Sequence, residues 1–462
     1  MIDTAALRIK ILKQAMSGNL SEQKNEDGEA VPKGIVVSDS STDENAYVIP
    51  SSWRWVRVKD VVAKDVGGGT PSKVVPEYWD NGDISWATVK DFSNSENGLI
   101  NETIDHITQE GLENSSANMV DEEAIVVCMR MALGKIVRVS KPMAINQDLR
   151  ALWLKTFVEQ DYFVYFYKTL KVEGRGTTVA GIKKDELMNY AFPVPPVKEQ
   201  RRIIEKVNSI FKLLDIIDDL QLQYASDLEV LKSKIIDAGI QGKLTEQLPE
   251  DGTAEELLEQ ITEEKKRLVK EKKIKKGRQL PEIITDDKSI DIPDNWTWVR
   301  LGDISQIYGG KRIPAGRCLT TENTGHKYIR VSEMKNRTVL TDSLMYVPED
   351  IYPSISRYII NKEDVYITVA GTIGRVGTIP EEIDGANLTE NADRVVFRNL
   401  NKDWLVSCLD SSFVQKQIAM VTTQVAQPKL AIKRIEELVI PLPPFAEQER
   451  IAAKIVETLN LL

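Results

Sequence analysis

Two glycine-rich stretches, VGGGTPS at residues 66–72 and GTIGRVG at residues 371–377, expose runs of backbone N–H groups of the kind that can hold a phosphate. Neither has the spacing GxxxxGKS/T or GxGxxG that a nucleotide loop needs. Each reads as a turn, or as a loop lying against a nucleic-acid backbone. The proline pairs at 195–196 and 443–444 invite comparison with the motif that grips a target amine, which requires Asp or Asn before Pro-Pro-aromatic. Val194 and Leu442 stand there instead, so the pairs cannot orient an amine and read as rigid helix starts. Cys128, Cys318 and Cys408 are far apart and read as core thiols. With only His106 and His326 as imidazoles, neither a zinc knuckle nor a His-based triad is supported. Between residues 77 and 123, twelve carboxylates face the single cation Lys90, a solvated acidic face rather than a nuclease centre. Catalytic parts are scarce.

Parts for recognition are more plentiful. The formal charge of −10 argues against nucleic acid only until its distribution is read. Residues 311–337 hold seven basic side chains against Glu322 and Glu333, and Arg130, Lys135, Arg138, Lys141, Arg150 and Lys155 face Asp148 alone. The stretches 173–184 and 422–434 combine Thr, Gln, Lys and Arg, the types that reach phosphates and base edges. Residues 265–278 carry nine basic side chains and one acid, Glu271. They read as a solvated helix or linker, with phosphate contact the second reading.

The elements that position these residues are written twice. IPSSWRWVRVKDV from Ile49 matches IPDNWTWVRLGDI from Ile292 at seven of thirteen positions. FPVPPVKEQRRI from Phe192 matches IPLPPFAEQERI from Ile440 at seven of twelve, and LRIKILKQAMSGNLSEQ from Leu7 matches LKSKIIDAGIQGKLTEQ from Leu231. The offsets are 224, 243 and 248, the extra residues falling mostly between Gln247 and Ile292. A fixed long-range repeat dictates the architecture: the two chain ends correspond to the two halves of the central segment.

That segment predicts a long helix. Ile203, Val207, Ile210, Leu214, Ile217, Gln221, Tyr224, Leu228, Leu231 and Ile235 follow the alternating three-four spacing of a coiled-coil seam. The start lies just after Pro195-Pro196 and the end near Gly239 or Gly242. The partner for the seam is either the N- and C-terminal helices acting as a second copy or another chain. The remaining segments mix β-like runs (AIVVCM, DVYITVAG, DRVVF) with helical ones (DYFVYFYKTL, WLVSCLDSSFVQKQIA). At 462 residues, 42% hydrophobic and 28% charged, the chain predicts two to four domains. It has no apolar run near the ~20 residues of a membrane span, and its N-terminus lacks the pattern of a secretory leader. A cytoplasmic protein is expected.

Taken in order, GGGTPS and YWDNGDISW after the first Trp-x-Trp pattern, GTIGRVGTI, and the repeated P-x-PP-x-x-EQ-x-x-I helix start resemble the specificity (S) subunits of type I restriction-modification enzymes. The circular half-repeat adds to the resemblance, which covers essentially the whole chain. It implies an α+β fold of two mixed α/β target-recognition lobes separated by long antiparallel coiled-coil helices in a pseudo-two-fold circular repeat. The expected divisions are 1–45 and 445–462 for the split helical region, 46–196 and 291–444 for the lobes, and 197–290 for the central spacer and charged linker.

The resemblance further implies a non-catalytic DNA-binding subunit that reads an asymmetric, bipartite, gapped site on double-stranded DNA. It would direct two methyltransferase (modification) subunits and the nuclease-translocase (restriction) subunits. S-adenosylmethionine, ATP and magnesium would belong to those partners, with no cofactor or metal on this chain. Charge and loop position nominate Thr70, Ser72, Lys73, Arg130, Lys135, Arg175, Thr177, Thr178 and Lys183 for DNA contact in the first lobe. In the second they nominate Lys311, Arg312, Arg330, Lys335, Arg375, Gln424, Gln427 and Lys429. The first lobe has YWDNGDISWATVKDF where the second offers KYIRVSEMKNR, so the half-sites are expected to differ. A coiled-coil scaffold with two protein-binding lobes is the rival reading.

Overall fold

The computed structural model describes residues 1–38, 40–41, 47–95, 98–174, 181–422 and 428–462. They divide into two units, Met1–Gln223 and Tyr224–Leu462. In the first, α1 (Thr4–Met16) precedes β1 (Arg54–Arg57), α2 (Val58–Val61), β2 (Val62–Gly67), β3 (Ile84–Ala87), β4 (Leu99–Ile100), β5 (Asp105–Ile107), α3 (Gln109–Glu113), β6 (Asn118–Val120), β7 (Ile125–Cys128), β8 (Ile136–Val139), β9 (Met143–Ile145), β10 (Leu149–Leu154), α4 (Gln160–Tyr167), α5 (Lys184–Met188), β11 (Ala191–Val194) and the first part of α6 (Val197–Ile240). In the second, the rest of α6 is followed by α7 (Ala254–Lys270), β12 (Thr297–Arg300), α8 (Leu301–Ile304), β13 (Ser305–Gly309), β14 (Lys327–Ile329), β15 (Met334–Lys335), β16 (Thr338–Val339), β17 (Met345–Tyr346), α9 (Tyr352–Ile355), β18 (Ile359–Ile360), β19 (Val365–Thr368), β20 (Val376–Thr378), β21 (Ala386–Leu388), β22 (Ala392–Phe397), α10 (Lys402–Asp410), α11 (Ser412–Thr422), α12 (Ile432–Glu436), β23 (Val439–Leu442) and α13 (Phe445–Leu459).

Each unit is therefore helix, lobe, helix. The circular repeat of the sequence is a tandem repeat whose inner helices are fused into α6, 44 residues without a break. Each lobe opens and closes on a paired stalk, β1 antiparallel to β11 and β12 antiparallel to β23. The first lobe contains the sheets β2-β10-β7-β8-β4 and β5-β3-β9-β6. The second repeats the plan as β13-β22-β19-β20 and β17-β14-β21-β18, with the hairpin β15-β16 beside β20 in the place of β4. β7 and β19, IVVC and VYIT, are buried at every position, as expected of a strand covered on both faces.

In the first unit α1 runs antiparallel to α6. Ile2 meets Gln221, Arg8 meets Asp215 at 2.8 Å, and Leu12, Ala15 and Met16 join Ile203 and Val207 in one core. In the second, α13 runs antiparallel to the end of α6. Gly239 faces Ile451 and Ile455 so closely that a Cβ would collide with them, while Thr245 meets Glu447 at 3.1 Å. The expected seam is buried mainly toward its ends: Ile203, Val207, Leu214 and Ile235 are buried, whereas Tyr224 and Leu231 are 62% and 43% exposed.

The charged stretch 265–278 is a helix end and linker with most of its side chains exposed, as expected, but the helix that carries it is docked. That helix, α7, is begun by a Thr253/Glu256 capping box and buries Ala254, Leu257 and Ile261 in the core of the second unit. Lys265 is buried enough to lower its pKa, and its ammonium donates to the carbonyls of Gly302, Asp303 and Ser305 at 2.8, 3.0 and 3.2 Å. Arg278 pairs with Glu436 at 2.7 Å and Glu437 at 3.0 Å. The apolar stripe that docks the helix lies mostly ahead of the charge run. Cys128 and Cys408 are buried, and burial pushes the Cys128 thiol up to about 12. Cys318 is exposed, contrary to the core reading. Among the described residues no helix is long and apolar enough to cross a membrane, and no cluster of three or more His, Cys, Asp or Glu could hold a metal ion.

Candidate nucleic-acid interface

In both lobes, three loops meet beyond the same strands, joined by the residues that end a fourth connection. The first leaves β2 or β13. Gly68 and Gly310 lie so close to the strand ends across from them that a Cβ would overlap the carbonyls of Ile145 and Asn146, or of Leu388 and Thr389. This approach explains the glycines better than phosphate binding does. The next amides, of Gly69 and Lys311, donate to Ile145 and Leu388 at 3.0 and 2.8 Å. The second loop is the hairpin tip β7–β8 or β19–β20, where Lys135 and Arg375 accept from the amides of Cys128 and Thr368 at 3.2 and 2.8 Å. The third, residues 146–148 or 389–391, follows β9 or β21. Asp148 and Asn391 accept from Met129 and Val369 at 2.7 and 2.8 Å. The fourth ends at Ile182 or Leu430, whose amides donate to Met129 and Val369 at 3.0 and 2.9 Å.

These bonds fix a residue-by-residue correspondence that sequence matching cannot supply, because the side chains on the shared frame differ. Arg130 is held by Asp148 at 2.6 Å, whereas Ala370 and Asn391 occupy those two places in the second lobe. The Thr70 hydroxyl donates to the Gln147 side-chain carbonyl, whereas Arg312 pairs with Glu390 through Nε at 2.5 Å. Lys135 becomes Arg375, and Gly69 becomes Lys311.

The nominated residues divide accordingly. Thr70, Arg130, Lys135 and Lys183 belong to the loop frame of the first lobe, and Lys311, Arg312, Arg375 and Lys429 to that of the second. Ser72 and Lys73 are exposed just beyond the first loop, and the Ser72 carbonyl accepts from the Trp79 indole at 3.1 Å. Arg330 and Lys335 lie off the frame. Arg330 is gripped by the buried carboxylate of Glu333 at 2.6 Å, in the place where Thr88 is capped by Asp91 in the first lobe, and exposed Lys335 lies on β15. Arg175, Thr177, Thr178, Gln424 and Gln427 lie outside the described residues.

Gln147 and Glu390 were not nominated. Laying AINQDLRAL against the stretch from Ala386, ANLTENADRVV, offers a signal, but it becomes legible only once β9 and β21 are seen to correspond. One titration anomaly lies beside the frame. Burial of Asp393, opposite Gly309 on β22, pushes its carboxyl up to about 7 despite the opposing charge of Lys429.

The sequence profile of the type I restriction modification DNA specificity domain matches this chain twice, at residues 50–223 and 293–460. The chain is 25% identical over 407 residues to the MjaIX specificity subunit of Methanocaldococcus jannaschii, a match covering 86% of this chain and 84% of the relative. It is 26% identical over 324 residues to the EcoAI specificity subunit of Escherichia coli, covering 59% and 54%. A chain solved in a study of complex assembly and conformational transition of the type I R-M system superposes with a TM-score of 0.58 at 18% identity, covering 90% of this chain and 92% of that one.

Proposed function

From the premise that the chain belongs to the type I restriction-modification DNA specificity family, we infer that it is the subunit that chooses the DNA sequence on which its partners act. The observation that carries this reading is the loop frame built twice and furnished differently. Two equal backbone scaffolds bearing different donors and acceptors suit two unlike half-sites. Backbone contacts would set register, while side chains on the loops read base edges. The chain then supplies no chemistry of its own. Methyl transfer, translocation and cleavage belong to modification and restriction subunits, with their S-adenosylmethionine, ATP and magnesium.

The finer parts of the reading concern assembly and spacing. Two modification subunits would bind one chain, matching its two units, and the complex would work in the cytoplasm. The lobes at 46–196 and 291–444 would each read one half of a gapped site. The unbroken α6, about 66 Å at ~1.5 Å per residue, would set the gap between halves. A scaffold whose lobes bind only proteins has no comparable use for two divergent loop frames.

The test is to map methylated adenines genome-wide in cells that carry the cognate modification subunit, with and without this chain. A gapped two-part motif present only with the chain is expected. A methylation pattern indifferent to the chain, despite an intact complex, would leave the scaffold reading in its place.

A further inference from the structure

Resting on the DNA-reading role, we propose that the third loop carries a specificity-determining position in each lobe, Gln147 in the first and Glu390 in the second, and that the two read different bases through different devices. The positions are equivalent by backbone bonding: the residues after them, Asp148 and Asn391, accept from Met129 and Val369, and those before them, Asn146 and Thr389, donate to Ala87 and Ile329 at 3.0 and 3.2 Å. What changes is the side chain and, with it, the partner on the glycine loop, Thr70 for Gln147 and Arg312 for Glu390.

In the second lobe Glu390 is a positioning residue. One carboxylate oxygen takes Nε of Arg312 at 2.5 Å and the other takes the Thr389 hydroxyl at 3.1 Å. The carboxylate is 23% exposed, while the Arg312 side chain is 73% exposed. A guanidinium fixed through Nε keeps its outer N–H groups free and coplanar, the fork that fits O6 and N7 of guanine in the major groove. The lone ammonium of neighbouring Lys311 offers no such fork.

In the first lobe the third loop offers an amide at this position, and the guanidinium held through Nε is that of Arg130, on Asp148 at 2.6 Å. Gln147 is exposed, and the Thr70 hydroxyl binds its carbonyl oxygen, which leaves the NH2 donors and one lone pair. That set fits N7 and N6 of adenine. The correlated change of both partners, Thr with Gln and Arg with Glu, is what a frame with exchangeable reading pairs would show.

The test uses the full chain with its modification subunit and reads the methylated motif. Arg312→Lys keeps the charge and loses the fork, and Glu390→Gln keeps the size and loses the hold on Nε. Both should relax a single guanine in one half-site by about tenfold and leave the other half-site intact. Gln147→Ala should relax a single adenine in the opposite half-site. An unchanged motif, a uniform weakening at every position, or loss of the complex with no change in the motif it writes would each overturn the assignment. Absence of any chain-dependent motif in the wild type would instead bring down the DNA-reading role itself.

Discussion

The indole N–H of Trp53 donates to the buried carboxylate of Glu199 at 2.9 Å. The same carboxylate takes the Ser21 hydroxyl at 2.8 Å and the Gln23 amide at 2.9 Å, so the three repeated sequence segments are one clamp. The second unit repeats it around Glu447, with Trp296 at 2.8 Å, Thr245 at 3.1 Å and Gln247 at 2.9 Å. The neighbouring glutamines, Gln200 and Gln448, each donate at 2.9 Å to the carbonyl of the first proline of the pair, Pro195 or Pro443. Gly18 and Gly242, both at positive φ, press against Pro50 and Pro293.

Removing the centre of a clamp should unfasten one unit and spare the other. Glu199→Ala strands the buried Trp53 indole and removes an acceptor of Ser21 and Gln23; it is expected to cost about 2 kcal/mol, lowering the denaturation midpoint of the first unit, with Glu447→Ala acting likewise on the second. Differential hydrogen exchange on the full chain would show which amides open. Protection lost equally in both units would contradict the clamp's local role.

The ion pair beside each clamp gives stability a pH dependence. Two Arg202 nitrogens donate to Asp27 at 2.7 and 2.5 Å and hold its carboxyl below the usual value. Arg450 does the same to Asp251 at 2.7 and 2.5 Å. A carboxyl depressed in the folded state contributes stability above its unfolded pKa, about 3.9, and loses it as pH falls through the folded value. Arg202→Gln should therefore cost about 1 kcal/mol at pH 7, and the penalty should fade in melts below about pH 4. A penalty constant from pH 7 to pH 3 would show that the pairing is not its source.

Asp393 should behave in the opposite sense. Its folded pKa, pushed up to about 7 by burial, lies above the unfolded value. The folded state thus keeps a proton that the unfolded chain releases, and stability declines as pH rises from about 4 to 7. Asp393→Asn is expected to remove that decline and to stabilise the second unit by about 2 kcal/mol at pH 8. Thermal melts across this range decide it, and an unchanged slope would count against the buried acid.

If α6 is the ruler, its length must appear in the target. Seven residues inserted after Gln221 keep the heptad phase and add about 10 Å. Methylation mapping should return the same two half-sites with a longer gap. The old gap, written by a complex that still assembles, would show that spacing is set elsewhere.

Much of the frame was legible in the sequence because repetition exposes it. The Trp-x-Trp strands, the proline-led helix starts and the central helix stand where the repeat places them. Less legible was what the repeated residues do, since Glu199 and Ser21 are 178 positions apart and no local pattern announces their bond. The charge run of the insert is solvated as its composition says, while the apolar spacing that docks its helix, Leu257, Ile261 and Leu268, was present to be read. Arg330 illustrates the limit for the site itself. Charge and loop position recommend it, but only the fold reveals the carboxylate of Glu333 that already occupies it.

The stalks β1–β11 and β12–β23 bring the two ends of each lobe to adjacent positions, with a clamp fastening the helices beneath. Anything added or rewritten between those ends enters and leaves through the same doorway and does not shift the helical register. The stretch after β3 or β14 is one such place: β4 pairs with β8 in the first lobe, and the hairpin β15–β16 lies beside β20 in the second. If the lobes read DNA, this arrangement insulates vocabulary from punctuation: the words of either lobe could be rewritten without touching the clamp beneath it.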